Sequence, residues 1–163
     1  MTAQILPYKN ILPKIGENVW IAPGSWVVGD VEIADDVGIW FNCVLRGDVN
    51  NIKIGARTNI QDGTVIHVSS TLQGTYVGSD VTVGHAALLH ACTIEDAAFI
   101  GMQACVMDGA HVESGAMVGS GGAGHARQTC PDRAALGWIA CQIHARPHGG
   151  GKSLYPVFRQ TLR

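Results

Sequence analysis

Aliphatic residues recur every six positions along most of this chain. They stand at Ile15, Ile21, Val27, Ile33, Ile39 and Leu45, then at Ile54, Ile60 and Ile66, then at Val77, Val83 and Leu89, and finally at Ile94, Ile100, Val106, Val112 and Val118. A period of six fits neither a helix, which repeats at 3.6, nor an amphipathic strand, which alternates at two. It fits a coil of three short sides, each side one hexapeptide, with its aliphatic residue pointing into a prism. No single coil can bury its apolar corner alone, so coils must stack. Small residues follow many of the aliphatic positions, as in Ile54-Gly55, Val77-Gly78 and Ile100-Gly101, where turns are expected.

The register breaks three times. The step from Leu45 to Ile54 is nine residues, that from Ile66 to Val77 is eleven, and that from Leu89 to Ile94 is five. The eleven-residue step, through Ser69, Ser70, Thr71, Leu72 and Gln73, predicts an ejected loop, and inserts of this kind in repeat folds cluster where function sits.

Composition agrees with short strands and tight turns: 21 glycines, 15% charged and 6% aromatic residues among 163. A net charge of -2 offers no basic face for nucleic acid. Pro7, Lys9, Pro13 and Lys14 interrupt any signal-like apolar run, and no stretch approaches the roughly 18 apolar residues of a membrane span. Five cysteines without C-x-x-C spacing read as reduced thiols. The expectation is a soluble, cytoplasmic domain.

Assigning hexapeptides to faces in turn puts His67, after Ile66, and His90, after Leu89, on one face and one coil apart. Rungs of a parallel sheet are about 4.8 Å apart, close enough for both rings to reach one ion at roughly 2.0–2.1 Å. Arg46, after Leu45, stacks in the same column. His85 falls on a different face, two places after Val83, where Asp62 stands after Ile60 one coil earlier. Side chains on two faces of a prism diverge, so three histidines on one metal imply a cyclic trimer with the metal between subunits. A lone outward histidine is ordinarily a solvated residue, and His111, His125, His144 and His148 are read that way. Arg46 and Asp48 alone would be a surface ion pair of little energetic consequence.

The runs Leu45-Arg46-Gly47-Asp48, Asn59-Ile60-Gln61-Asp62-Gly63-Thr64-Val65-Ile66-His67 and Val83-Gly84-His85-Ala86-Ala87-Leu88-Leu89-His90 resemble the gamma-class carbonic anhydrases and their bacterial homologues, over about residues 10 to 120. The resemblance implies an all-β, left-handed parallel β-helix and a homotrimer. It implies interfacial sites holding zinc, or iron or cobalt in some members, on His67 and His90 of one subunit and His85 of the next. It implies reversible hydration of carbon dioxide by a metal-bound hydroxide. Arg46 and Asp48 match the family's interfacial ion pair, Gln61 the residue that positions the metal-bound water or bicarbonate, and Asn59 and Asp62 polar residues close by. The family's best hydratases carry acidic residues just after the Arg-x-Asp motif and just after the first histidine. Val49 and Ser70 stand there instead, which implies weak activity. Two further classes stay open: an acyl-CoA thioesterase or acyltransferase, whose coil is the same but whose histidine base must stay metal-free, and a non-catalytic trimeric metal-binding partner.

After Ser120 no aliphatic period is evident, and residues 121–163 are expected to form an irregular tail in place of the family's C-terminal helix. One permitted encoding of Thr129 to Cys141, read one base later, gives Pro-Val-Pro-Thr-Gly-Gln-Leu-Trp-Val-Gly-Ser-Pro, which is similar to the family's closing coil. A frameshift would account for the tail.

Overall fold

The computed structural model describes residues 2–124 and, beyond them, the backbone of two short strands, Thr129–Cys130 and Ala135–Leu136. Every named strand pairs in parallel, and the strands form three ladders around one prism. The first face runs through Gln4–Leu6, Trp26 to Gly29, Val44 to Gly47, Val65–His67, Leu88–His90, Cys105–Val106 and Ala123–Gly124. The second runs through Lys14–Ile15, Val31 to Ile33, Ile52 to Ile54, Thr75–Val77, Thr93–Ile94, His111–Val112 and Thr129–Cys130. The third runs from Trp20–Ile21 through Gly38–Ile39, Asn59–Ile60, Thr82–Val83, Phe99–Ile100 and Met117–Val118 to Ala135–Leu136. This is the left-handed parallel β-helix of hexapeptide repeats. Among the described residues there is no helix, and therefore none long and apolar enough to cross a membrane.

The periodic aliphatic residues fill the prism. Ile39, Leu45, Ile60, Ile66, Val83, Leu89, Ile100 and Val106 are fully buried. Two places before each stands a second buried residue that is small: Val37, Cys43, Thr58, Thr64, Val81, Ala87, Ala98 and Ala104 respectively. The buried hydroxyls are satisfied within the coil stack, with Thr58 donating to the Gly78 carbonyl at 2.7 Å and Thr64 to that of Gly84 at 3.2 Å. Ile15, expected in the core, is 37% exposed because it belongs to the first coil and has a neighbouring coil on one side only. Corners demand close approach: a Cβ on Gly55 would meet backbone atoms of Gly78 and Ser79 at 2.4–2.6 Å.

All three register breaks fall at one corner, between the first and second faces. Steps around the other two corners are six residues throughout the aliphatic series, whereas this corner takes six, nine, eleven, five and six in successive coils. In the lowest of these coils, Trp26–Ile33 rounds the corner as one continuous strand, and Val44–Ile54 does so in the next. The pairing slips there, with Gly29 opposite Gly47 and Val31 opposite Ile52, so Asp48 to Asn51 bulge outward where the coil beneath has Asp30 alone. The eleven-residue step ejects its loop at the same corner as expected, with Leu72 66% exposed.

The coil does not stop at Ser120. Strands Ala123–Gly124, Thr129–Cys130 and Ala135–Leu136 add a further turn in register with Cys105–Val106, His111–Val112 and Met117–Val118. Gly124 is buried where the aliphatic residues of the other coils stand, and the six-residue count continues to Cys130 and Leu136, which pair with Val112 and Val118; branched aliphatics are missing at the first two of these positions. The remainder of the expected tail lies outside the described residues.

Candidate metal centre

His67 and His90 are direct ladder partners on the first face, as Leu89 is to Ile66. Their ring centroids are 5.1 Å apart and the planes are tilted by 53°. The backbone sets this spacing: each ring follows a fully buried aliphatic residue, and the two strands are locked by main-chain hydrogen bonds such as Val65 N–H to the Ala87 carbonyl at 2.9 Å. Asp48 reaches this column from the bulged corner, its Oδ1 lying 2.9 Å from His67 Nε2 while Oδ2 pairs with Arg46. Burial is the largest single influence on the Asp48 carboxyl and acts to raise its pKa. The hydrogen bonds from His67 and Arg46 together outweigh it and hold the pKa below the ordinary carboxylate value. Arg46 and Asp48 thus pair within one chain.

His85 lies elsewhere. It follows the strand Thr82–Val83 on the third face, and its Nδ1 is 2.9 Å from Asp62 Oδ2. Asn59 and Gln61 stand on this face too. The Trp40 indole N–H donates to Asn59 Oδ1 at 2.6 Å. Indole nitrogen only donates, so the amide oxygen must face Trp40 and the Asn59 NH2 group is directed away. Trp40 is itself held edge-on to Trp20, with centroids 4.9 Å apart. Gln61 is half-buried, and its carbonyl accepts from the buried Cys43 thiol at 3.2 Å. Burial pushes that thiol up to about 11.

The eight residues singled out in the sequence therefore form two half-sites. Arg46, Asp48, His67 and His90 gather at the edge of the first face; Asn59, Gln61, Asp62 and His85 gather on the third. Among the described residues, no three histidine, cysteine or acidic side chains converge within one chain closely enough to hold a metal. Two contacts were missed by sequence reasoning. Trp40 against Asn59 spans 19 residues and carries no motif. Asp108 pairs with His90 Nδ1 from the coil above, and its signal was its place two residues after Val106, the offset that Asp62 and His85 share. His111, read as solvated, pairs with Glu95 at 2.8 Å.

Residues 12–47 match the family model for the bacterial transferase hexapeptide (six repeats). Gamma carbonic anhydrase 2, mitochondrial, of Arabidopsis thaliana is 51% identical over 114 residues, covering 67% of this chain and 41% of that protein. Protein YrdA of Escherichia coli K12 is 47% identical over 116 residues, covering 66% of this chain and 62% of that protein. The chain thus spans less than two-thirds of the length of these curated relatives. Among solved structures, a hexapeptide transferase family protein from Anaplasma phagocytophilum superposes with a TM-score of 0.77 at 38% identity, covering 81% of this chain and 77% of that one.

Proposed function

This chain belongs to the gamma-class carbonic anhydrase-like family of hexapeptide-repeat proteins, and on that premise we propose that it binds a divalent metal through His67 and His90 of one subunit and His85 of the next in a homotrimer, and hydrates carbon dioxide reversibly. Zinc is the ion of choice, with iron(II) or cobalt(II) as substitutes. The observation that carries the reading is the separation of the half-sites: two imidazoles in ladder register on one face and the third on a different face of the same prism. The donor set fits such an ion. Each of the three rings has one nitrogen against a carboxylate, which leaves the other as a lone-pair donor and supplies the outer hydrogen bonds that metal-bound histidines ordinarily have. Bound by three imidazoles with a position left open, zinc supplies Lewis acidity that brings the pKa of water to about 7.

The chain's own groups divide the remaining work. Asp48 holds His67 at Nε2 and Arg46 holds Asp48, so the first half-site is fixed from below. Asn59, with its oxygen occupied by Trp40, presents N–H donors to the third face. Gln61 supplies an amide beside Asp62 and His85 that can orient a water or bicarbonate oxygen. Val49 and Ser70 can neither accept nor release a proton at neutral pH, so transfer to solvent is slow and the hydratase weak.

Metal analysis, light scattering and two assays test this reading. The expected result is a trimer carrying about one metal per subunit, with His85→Ala losing metal as completely as His67→Ala. Measurable carbon dioxide hydration and no acyl-CoA hydrolysis are expected. A monomer retaining stoichiometric metal would overturn the shared site. Acyl-CoA turnover by metal-free protein would favour the transferase reading, to which the Anaplasma structure lends the fold.

A further inference from the structure

The paired histidines are bracketed by carboxylates from both directions. One coil below His67 is Asp48; one coil above His90 is Asp108. The two contacts use different ring atoms, Nε2 of His67 and Nδ1 of His90. An ionised carboxylate only accepts hydrogen bonds, so in a neutral imidazole the N–H faces the carboxylate and the lone pair lies on the opposite nitrogen. The lone pairs are then on Nδ1 of His67 and Nε2 of His90.

Asp108 is held where a positioning group would need to be. It sits in the turn Met107-Asp108-Gly109, where Gly109 has a φ of +71° and its N–H bonds to the Ala91 carbonyl at 2.7 Å, tying the turn to the coil of His90. The Ala110 N–H closes the turn onto the Met107 carbonyl at 3.0 Å. Whereas Asp48 divides its charge between Arg46 and His67, the only ion-pair partner of Asp108 among the described residues is His90. Their side chains are 28% and 26% exposed, against 43% and 41% for the Glu95–His111 pair, which among the described residues has no second imidazole beside it. More shielding makes the first pair the stiffer support.

We propose that Asp108 is a positioning residue for the metal centre: by accepting a hydrogen bond from the Nδ1–H of His90 it fixes the tautomer and ring orientation that leave Nε2 free to ligate the ion. The proposal rests on the metal reading above. Removal of such an outer partner typically weakens metal binding about 10–100-fold.

The test uses the full chain and its Asp108→Ala, Asp108→Asn and His90→Ala variants. Chelator competition measures the affinity for Zn2+ or Co2+, and long-range 1H–15N NMR on the metal-free protein reads the tautomer of each histidine. Asp108→Ala should bind metal about 10–100-fold more weakly, and its His90 should change from the Nδ1–H form to a mixture while His67 is unaffected. Asp108→Asn, which keeps an accepting oxygen, should largely restore both. A merely structural Asp108 would move thermal stability without moving the tautomer. If His90→Ala abolishes binding while Asp108→Ala keeps parental affinity and tautomer, the positioning role is overturned and the metal reading stands. If neither variant alters binding, the metal reading itself falls, and the proposal with it.

Discussion

Leu89 lies directly beneath His90 and is completely buried, which makes Leu89→Ala the sharpest probe of how the prism supports the site. The substitution removes three buried carbons, worth about 2.4 kcal/mol at roughly 0.8 kcal/mol each. The walls cannot close on the gap. Leu88 N–H is bonded to the Ala104 carbonyl above at 2.8 Å and Val65 N–H to the Ala87 carbonyl at 2.9 Å, so the neighbouring rungs are fixed in spacing. With the cavity retained, the loss should reach about 3–4 kcal/mol. For a chain of this size that lowers the midpoint by about 6–16 °C. Calorimetry and urea denaturation at matched protein concentration measure it, since the proposed trimer would make stability depend on concentration. Leu72→Ala, in the ejected loop and 66% exposed, serves as the control and should shift stability by less than about 0.5 kcal/mol. A loss below about 1 kcal/mol for Leu89→Ala would refute the claim that backbone hydrogen bonds keep the prism from collapsing.

Gly63 and Ala86 occupy the same turn position in successive coils, with φ of +71° and +56°. Gly63→Ala should destabilise and Ala86→Gly stabilise, each by about 0.5–1 kcal/mol in denaturant titrations, after the left-handed strain and the unfolded-state entropy are set against each other; equal signs would contradict this. The Glu95 carboxyl is held below its ordinary value, first by the Ser114 backbone N–H and then by His111. Its contribution is therefore complete above the ordinary glutamate pKa and disappears as pH falls through the lower folded-state value. The midpoint of Glu95→Gln should lie below the parent's at neutral pH and converge with it on acidification; a gap that widens toward acid would show the sign to be wrong. Ser70→Glu should raise the carbon dioxide hydration rate in weakly buffered solution, and a parent already running at the buffer limit would remove the case for a missing proton acceptor.

Much of this was legible because the fold counts. Ile60, Ile66, Val83 and Leu89 repeat so regularly that their burial, and the ladder pairing of His67 with His90, followed from arithmetic on residue numbers. The same arithmetic assigned His85 to another face. It failed where the counted property was absent. Gly124 holds an interior position without an aliphatic side chain, so the extra coil beyond Ser120 was invisible. It also failed at the first coil, where Ile15 obeys the period but has a neighbour on one side only. Contacts between side chains of adjacent coils were harder still. Asp108 reaches His90, and Trp40 reaches Asn59, across 18 and 19 residues, through the orientation of a corner or a ring, which a one-dimensional pattern does not encode.

That every irregular step falls at one corner of the prism has a consequence for inheritance. A gene altered by the gain or loss of a codon at either of the other corners would rotate all later side chains onto the wrong face, and such alleles should fail to fold. In the ejected loop at the remaining corner, which is 66% exposed at Leu72, the same change alters only the length of a surface excursion, for which doubling costs just about 0.6 kcal/mol in closure entropy. Length variation can accumulate in the ejected loop without changing the ladder spacing of the two imidazoles, as long as Asp48 and Asp108 keep their places against the rings. Descendants of this chain can thus be refitted beside the paired histidines by insertion and deletion in the ejected loop, a larger and faster kind of change than substitution, while the spacing of the two rings passes on intact.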